Sequence, residues 1–196
     1  MKLITLEGID GSGKTYQSAL LAQWLKENGH QAMALKAPYV KDIKDLTMKD
    51  YDQDTKALLY LADLHNLTNQ IEPLLTGRRK GFVIIDRYFD SFYAYQIYGA
   101  GLNYYNDLYE RFYTIKPSLT ILLDIEVDKA IERIEKRDEA GTDDRESLSN
   151  SLFNIQCGYQ SLAYSNPERI TVVNSNFSEQ TVQERIRKVF SAHFEL

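Results

Sequence analysis

Near the start of the chain, Gly8-Ile9-Asp10-Gly11-Ser12-Gly13-Lys14-Thr15 follows the spacing G-x-x-x-x-G-K-[ST]. That spacing wraps backbone around a polyphosphate. Glycines let successive N–H groups converge on phosphate oxygens, and a helix starting there adds its positive end. Lys14 supplies charge for the β- and γ-phosphates of ATP, and the Thr15 hydroxyl is a ligand for Mg²⁺. Gly8, Ile9, Asp10, Gly11, Ser12, Gly13, Lys14 and Thr15 are therefore the candidate ATP-binding residues, with Lys14 also catalytic. The alternative is an ordinary glycine-rich turn. A strand-like run before the motif and a helical pattern after it speak against that.

A second segment, Phe82-Val83-Ile84-Ile85-Asp86-Arg87, sets an acid at the end of an apolar strand. Phosphate-handling loops hold Mg²⁺ through such an acid, which makes Asp86 a candidate metal residue beside Thr15. Arg87 puts a fixed cation next to that metal, an arrangement suited to a second, phosphorylated molecule; the plain alternative is a surface ion pair. Further on, Arg133 and Arg137 share a helix face, and Arg145 follows a short polar stretch. These arginines either close over the phosphates as a lid at about residues 137–147 or form a solvated face, and spacing leaves both open. A fourth segment, residues 88–96, is rich in aromatics. Phe89, Phe92 and Tyr93 fit packing, whereas Tyr95 and Gln96 suit a base and its polar edge.

The elements that position these residues follow from periodicity. Strands are expected at 3–7, 31–36, 82–86, 119–124 and 170–174. Helices are expected from 13–15 to the Asn28-Gly29 stop and from an Asp54 cap to residue 75. Val127, Ala130, Ile131 and Ile134 mark another, and Val182, Ile186, Val189 and Phe190 the last, after a Ser178 cap. Alternating elements with doubly buried strands predict a single α/β domain over 1–196 with a parallel sheet. A net charge of −5 and the lack of a basic stripe argue against a nucleic-acid polymer as partner. No apolar stretch is long enough to span a membrane, and no leader pattern opens the chain. One cysteine, Cys157, expected to be small and buried, excludes an internal disulfide and suits the reducing cytoplasm. The three histidines show no zinc or nucleophile–base spacing.

Together these segments resemble the thymidylate kinase family, over nearly the whole chain and in the right order. The resemblance rests on Glu7 through Thr15, on Asp86-Arg87-Tyr88 with Ser91, Ala94, Tyr95 and Gln96, on Lys116-Pro117, and on Ala130 to Arg137 leading to Arg145-Glu146. It implies the P-loop NTPase fold, a five-stranded parallel sheet flanked by helices on both faces, and a homodimer. It implies ATP and Mg²⁺ acting on a small nucleotide, with phosphoryl transfer to dTMP. In this resemblance Arg87 meets the acceptor phosphate, Asp10 the acceptor sugar, and Tyr60 stacks on the base, with Ser91, Tyr95 and Gln96 beside them. The helper arginine is Arg137 or Arg145, and Arg133 lies on the ATP side. Two positions depart from the pattern: Ala37 in Lys36-Ala37-Pro38, and Leu64 where the family carries a base-contacting arginine. A kinase for another nucleotide or a deoxynucleoside, and a non-catalytic nucleotide-binding module, are the rival readings.

Overall fold

Residues 1–138 and 145–196 are described by the computed structural model. Five strands, β1 (Lys2–Glu7), β2 (Ala32–Lys36), β3 (Phe82–Asp86), β4 (Leu119–Asp124) and β5 (Ile170–Asn174), form one sheet in the order β2-β3-β1-β4-β5. Every pair is parallel. Among the described residues the helices are α1 (Lys14–Glu27), α2 (Lys41–Thr47), α3 (Gln53–Thr76), α4 (Phe89–Phe92), α5 (Asn106–Phe112), α6 (Val127–Asp138), α7 (Arg145–Ser165) and α8 (Glu179–Phe194). Strand alternation divides the core between the two faces. Val83 and Ile85 pack with Leu61, Leu64 and Phe89 on one side, and Phe82 and Ile84 with Leu21, Ile186 and Phe190 on the other. A third cluster joins Ala130 and Ile131 of α6 to Leu152 and Tyr159 of α7.

The strands lie where the apolar runs place them, because both faces of each central strand are covered. Local detail differs in four places. The cap of α3 is Asp52, whose side chain accepts from the Thr55 N–H, and Asp54 falls in the first turn. The connection after Pro38 contains α2. Residues 93–99 form a π-helical turn rather than continuing α4 as an α-helix. Cys157 is only partly buried. Helix α7, carried by Leu148, Leu152, Ile155, Tyr159 and Leu162 at helical spacing, is left out when the chain is read for motifs alone. Of the lid expected at about 137–147, residues 139–144 lie outside the described residues.

Beneath the aromatic segment, Arg169 forks onto Asp90, Nη1 to Oδ2 at 2.6 Å and Nη2 to Oδ1 at 3.0 Å, while Nη1 also reaches Thr120 Oγ1 at 2.8 Å. Asp90 is 1% exposed. Removing one partner would leave a buried charge unmatched, which costs about 3–5 kcal/mol. Arg169→Leu should therefore lower the thermal midpoint sharply, and Asp90→Asn in the same chain should restore much of the loss. A melt unchanged by Arg169→Leu would show the pair to be idle.

Candidate active site

β1 is central, and its neighbours β3 and β4 take their next helices from the same sheet edge. The loops leaving β1 and β3 therefore meet at a switch point of the sheet. The loop after β1 runs from Gly8 to Gly13 and enters α1 at Lys14. Gly11, at φ +81°, lies so close to α6 that an added Cβ would sit 2.4 Å from the Ala130 carbonyl oxygen. Arg133, on that same helix, donates to the carbonyls of Gly11 (3.3 Å), Ser175 (3.0 Å) and Phe177 (3.3 Å). Lys14 folds back over the loop, donating to Ile9 O at 2.8 Å and Ser12 Oγ at 3.3 Å. Burial, with the Arg87 charge adding to it, pushes the Lys14 ammonium down to about 7. An anion in the loop would reverse that penalty.

The first residue pair after this loop faces β3. The Thr15 hydroxyl donates to Asp86 Oδ2, and Lys36 Nζ lies 2.9 Å from Thr15 Oγ1 and 3.6 Å from Asp86. Asp86 is 1% exposed, and its Oδ1 is buried without a partner among the described residues. An alcohol oxygen beside a carboxylate with a spare oxygen is a donor set for a hard divalent cation. No cluster of three or more His, Cys, Asp or Glu side chains able to hold a metal occurs among the described residues. The Thr15 and Asp86 oxygens suit Mg²⁺, which takes one or two protein oxygens and completes its shell with phosphates and water.

Arg87 follows in a left-handed conformation, φ +70°, rare for a residue with a side chain. Its N–H donates to Leu6 O, and its guanidinium reaches Asp10 Oδ1 at 2.5 Å and Tyr95 OH at 3.2 Å. Tyr95 OH donates in turn to Asp10 Oδ2 at 3.1 Å, while its ring lies 4.8 Å from the guanidinium carbon. Burial alone would raise Asp10, but Arg87 and then Lys14 hold its carboxyl below the ordinary value. Burial, partly offset by Arg87, pushes the Tyr95 phenol above its ordinary value.

Two cavities meet at this trio. One, of about 620 Å³, is lined by the loop from Asp10 to Thr15 and by Arg133, Lys136 and Arg137. The other, of about 240 Å³, is lined by Tyr60, Leu64, Ser91, Phe92, Tyr95 and Gln96. Asp10 and Arg87 line both. Arg137 thus faces the larger cavity. Arg145 does not line it: its Nη1 reaches both oxygens of Glu135, at 3.1 and 3.0 Å. Ser91 lines the smaller cavity, but its hydroxyl is engaged inward with Glu7 and Tyr159. Lys36 and Lys136 at the larger cavity, and Asp63 at the smaller, where it accepts from the Tyr39 and Val40 N–H groups, belong to no motif. The fold alone brings Lys36 and Asp63 there, while Lys136 sits beside Arg137 on α6.

A phosphate-wrapping loop on one side, a half-aromatic cavity on the other and an arginine between them define a P-loop phosphotransferase. The family profile described as Thymidylate kinase matches residues 6–186. The thymidylate kinase of Nostoc punctiforme is 34% identical over 207 residues, covering 98% of this chain and 96% of the relative. That of Geotalea uraniireducens is 35% identical over 200 residues, covering 92% and 91%. The solved thymidylate kinase of Ehrlichia chaffeensis superposes with a TM-score of 0.76 at 26% identity, covering 97% of this chain and 98% of that one. The chain belongs to the thymidylate kinase family and is an enzyme of the nucleoside monophosphate kinase class.

One buried group makes stability depend on pH. Glu7 is 0% exposed, and burial, with the Asp90 charge adding to it, pushes its carboxyl from 4.5 up to about 7. The folded state therefore binds this proton more tightly than the unfolded chain. Its contribution is complete below 4.5 and is lost as pH rises through about 7. Glu7→Gln carries no charge to bury. Its melting temperature relative to wild type should rise between pH 5 and pH 8, by the equivalent of roughly 2–3 kcal/mol. A difference independent of pH would contradict the assignment.

Proposed function

We propose that this enzyme transfers the γ-phosphoryl group of ATP to dTMP, giving dTDP, as a cytoplasmic homodimer using Mg²⁺. The observation that carries the reading is the pair of cavities sharing Asp10 and Arg87; two anions entering from opposite sides would come together at one arginine. On the donor side, the loop N–H groups and Lys14 grip the β- and γ-phosphates, and Arg133 lies along the same cavity. Thr15 and Asp86 would hold the Mg²⁺, which when bound neutralises phosphate charge. On the acceptor side, Arg87 is held ready by Asp10 and Tyr95 to fork onto the acceptor phosphate. Tyr60 stacks on the base, Gln96 meets its edge, and Asp10 and Tyr95 meet the sugar. Ser91 lines the acceptor cavity and holds that wall through Glu7. Phosphoryl transfer needs little covalent work from the protein beyond alignment and charge. Arg137, at the donor cavity, is the candidate to meet charge developing on the transferred group, and Arg145, paired with Glu135, is the second.

Acceptor-dependent ADP release tests the reading. Lys14→Ala should lower kcat by about a hundredfold or more, a few kcal/mol of lost charge stabilisation, with the melt unchanged. Near-normal turnover would move the donor site elsewhere. Arg87→Lys should raise the KM for dTMP strongly and leave that for ATP unchanged, since an ammonium cannot fork onto a phosphate.

The base end of the acceptor cavity carries Leu64, 4% exposed, where a charged reader would add selectivity. An apolar wall discriminates by only about 10–200-fold, whereas a buried polar reader reaches far higher ratios. Preference for dTMP over dUMP, which lacks only a methyl group, should therefore stay below about a thousandfold, and Leu64→Arg should change it. A wild-type preference above that value would contradict the apolar wall as the determinant.

A further inference from the structure

Glu7 ends β1 immediately before the phosphate loop, fully buried, and three donors converge on it. Its Oε1 accepts from the Tyr88 N–H at 2.7 Å. Its Oε2 accepts from Ser91 Oγ at 2.5 Å and from Tyr159 OH at 3.2 Å. Tyr88 directly follows Arg87, whose own N–H is fixed to Leu6 O at 3.1 Å. The last two residues of β1 thus clamp consecutive peptides of the turn that holds Arg87 at φ +70°. A side chain is kept in that region only where its surroundings over-determine it. Leu6 and Glu7 supply this here, one from backbone and one from a carboxylate.

We propose that Glu7 is the positioning residue of the acceptor-phosphate site: its carboxylate holds the Arg87 turn and ties it to Tyr159 of α7. This rests on the reading of Arg87 given above. Through Tyr159 the carboxylate connects α7 to the turn that carries the arginine between the cavities. Glu7 touches neither cavity, so it acts through the groups that it holds, the turn first and Ser91 at the cavity wall beside it. A Leu side chain of similar size would leave the buried Tyr88 N–H without an acceptor, whereas Gln would keep an oxygen for it.

The test compares steady-state constants and melts of wild type, Glu7→Leu, Glu7→Gln and Arg87→Lys. Glu7→Leu should raise the KM for dTMP about tenfold or more while the KM for ATP stays within about twofold, and Glu7→Gln should recover most of the loss. If Glu7→Leu does not fold, Glu7→Asp, one methylene too short for the same contact, should show the same split at about threefold or more. Equal changes in both KM values, or none, with Arg87→Lys still impairing dTMP, would overturn the positioning role alone. An Arg87→Lys enzyme with an unchanged KM for dTMP would overturn the Arg87 reading, and this role with it.

Discussion

The arrangement depends on a single ion pair, Arg87 with Asp10, formed across two loops that leave the sheet at the same edge. Each partner lines both cavities. Asp10 lies inside the loop after β1 that is proposed to hold ATP, and Arg87 follows the strand whose Asp86 is proposed to hold Mg²⁺. A guanidinium taken largely out of water needs a carboxylate, and only this one is supplied by the opposite loop. The pairing sets how far apart the two cavities can be. It also helps explain why Asp10 stays ionised although partly buried: desolvation is the largest single effect, and the charges of Arg87 and Lys14 together with the hydrogen bonds from Tyr95 and Arg87 outweigh it.

Around that pair the fold is used to prevent movement. β1 and β3 are neighbours in register, Leu6 beside Asp86, so the loop residues that follow start side by side. Helix α6 presses its Ala130 carbonyl against Gly11, where only a missing side chain permits the approach, and Arg133 bonds the same segment. On the acceptor side α7 closes against the π-helical turn through Gly158, where a Cβ would lie 3.0 Å from that of Tyr98. That turn carries Tyr95 and Gln96. The chemistry sits on loops, but packed helices on both sides hold those loops.

Much of this was legible in the sequence, for identifiable reasons. The phosphate loop shows itself because its backbone demands glycines at fixed positions, and no other local structure explains Lys14-Thr15 after them. The sheet shows itself because Phe82-Val83-Ile84-Ile85 has no polar face. Arg87 stands out by following the acid at a strand end. What could not be read was tertiary. Glu7 enters the sequence reading only as the end of a strand and the start of the loop match, and only the fold brings Tyr88, Ser91 and Tyr159 to it. Lys36 meets Thr15 only because β2 and β3 are paired. Asp52 and Asp54 are equally good caps by type, and side-chain geometry chose the first. Arg137 and Arg145 look equivalent in the chain, yet the first faces the larger cavity and the second pairs with Glu135.

The central claim is that the two cavities are one reaction site, joined at Arg87. A direct measurement is calorimetric titration of the wild-type enzyme with adenosine and thymidine linked through their 5′ oxygens by a chain of phosphates. If the cavities are joined, the second half binds at high effective concentration. One molecule should bind per chain, at least about a hundredfold more tightly than ATP or dTMP alone. Arg87→Ala should remove most of that gain. Affinity no better than that of ATP, or two molecules bound per chain, would show that the cavities work separately and would contradict the account.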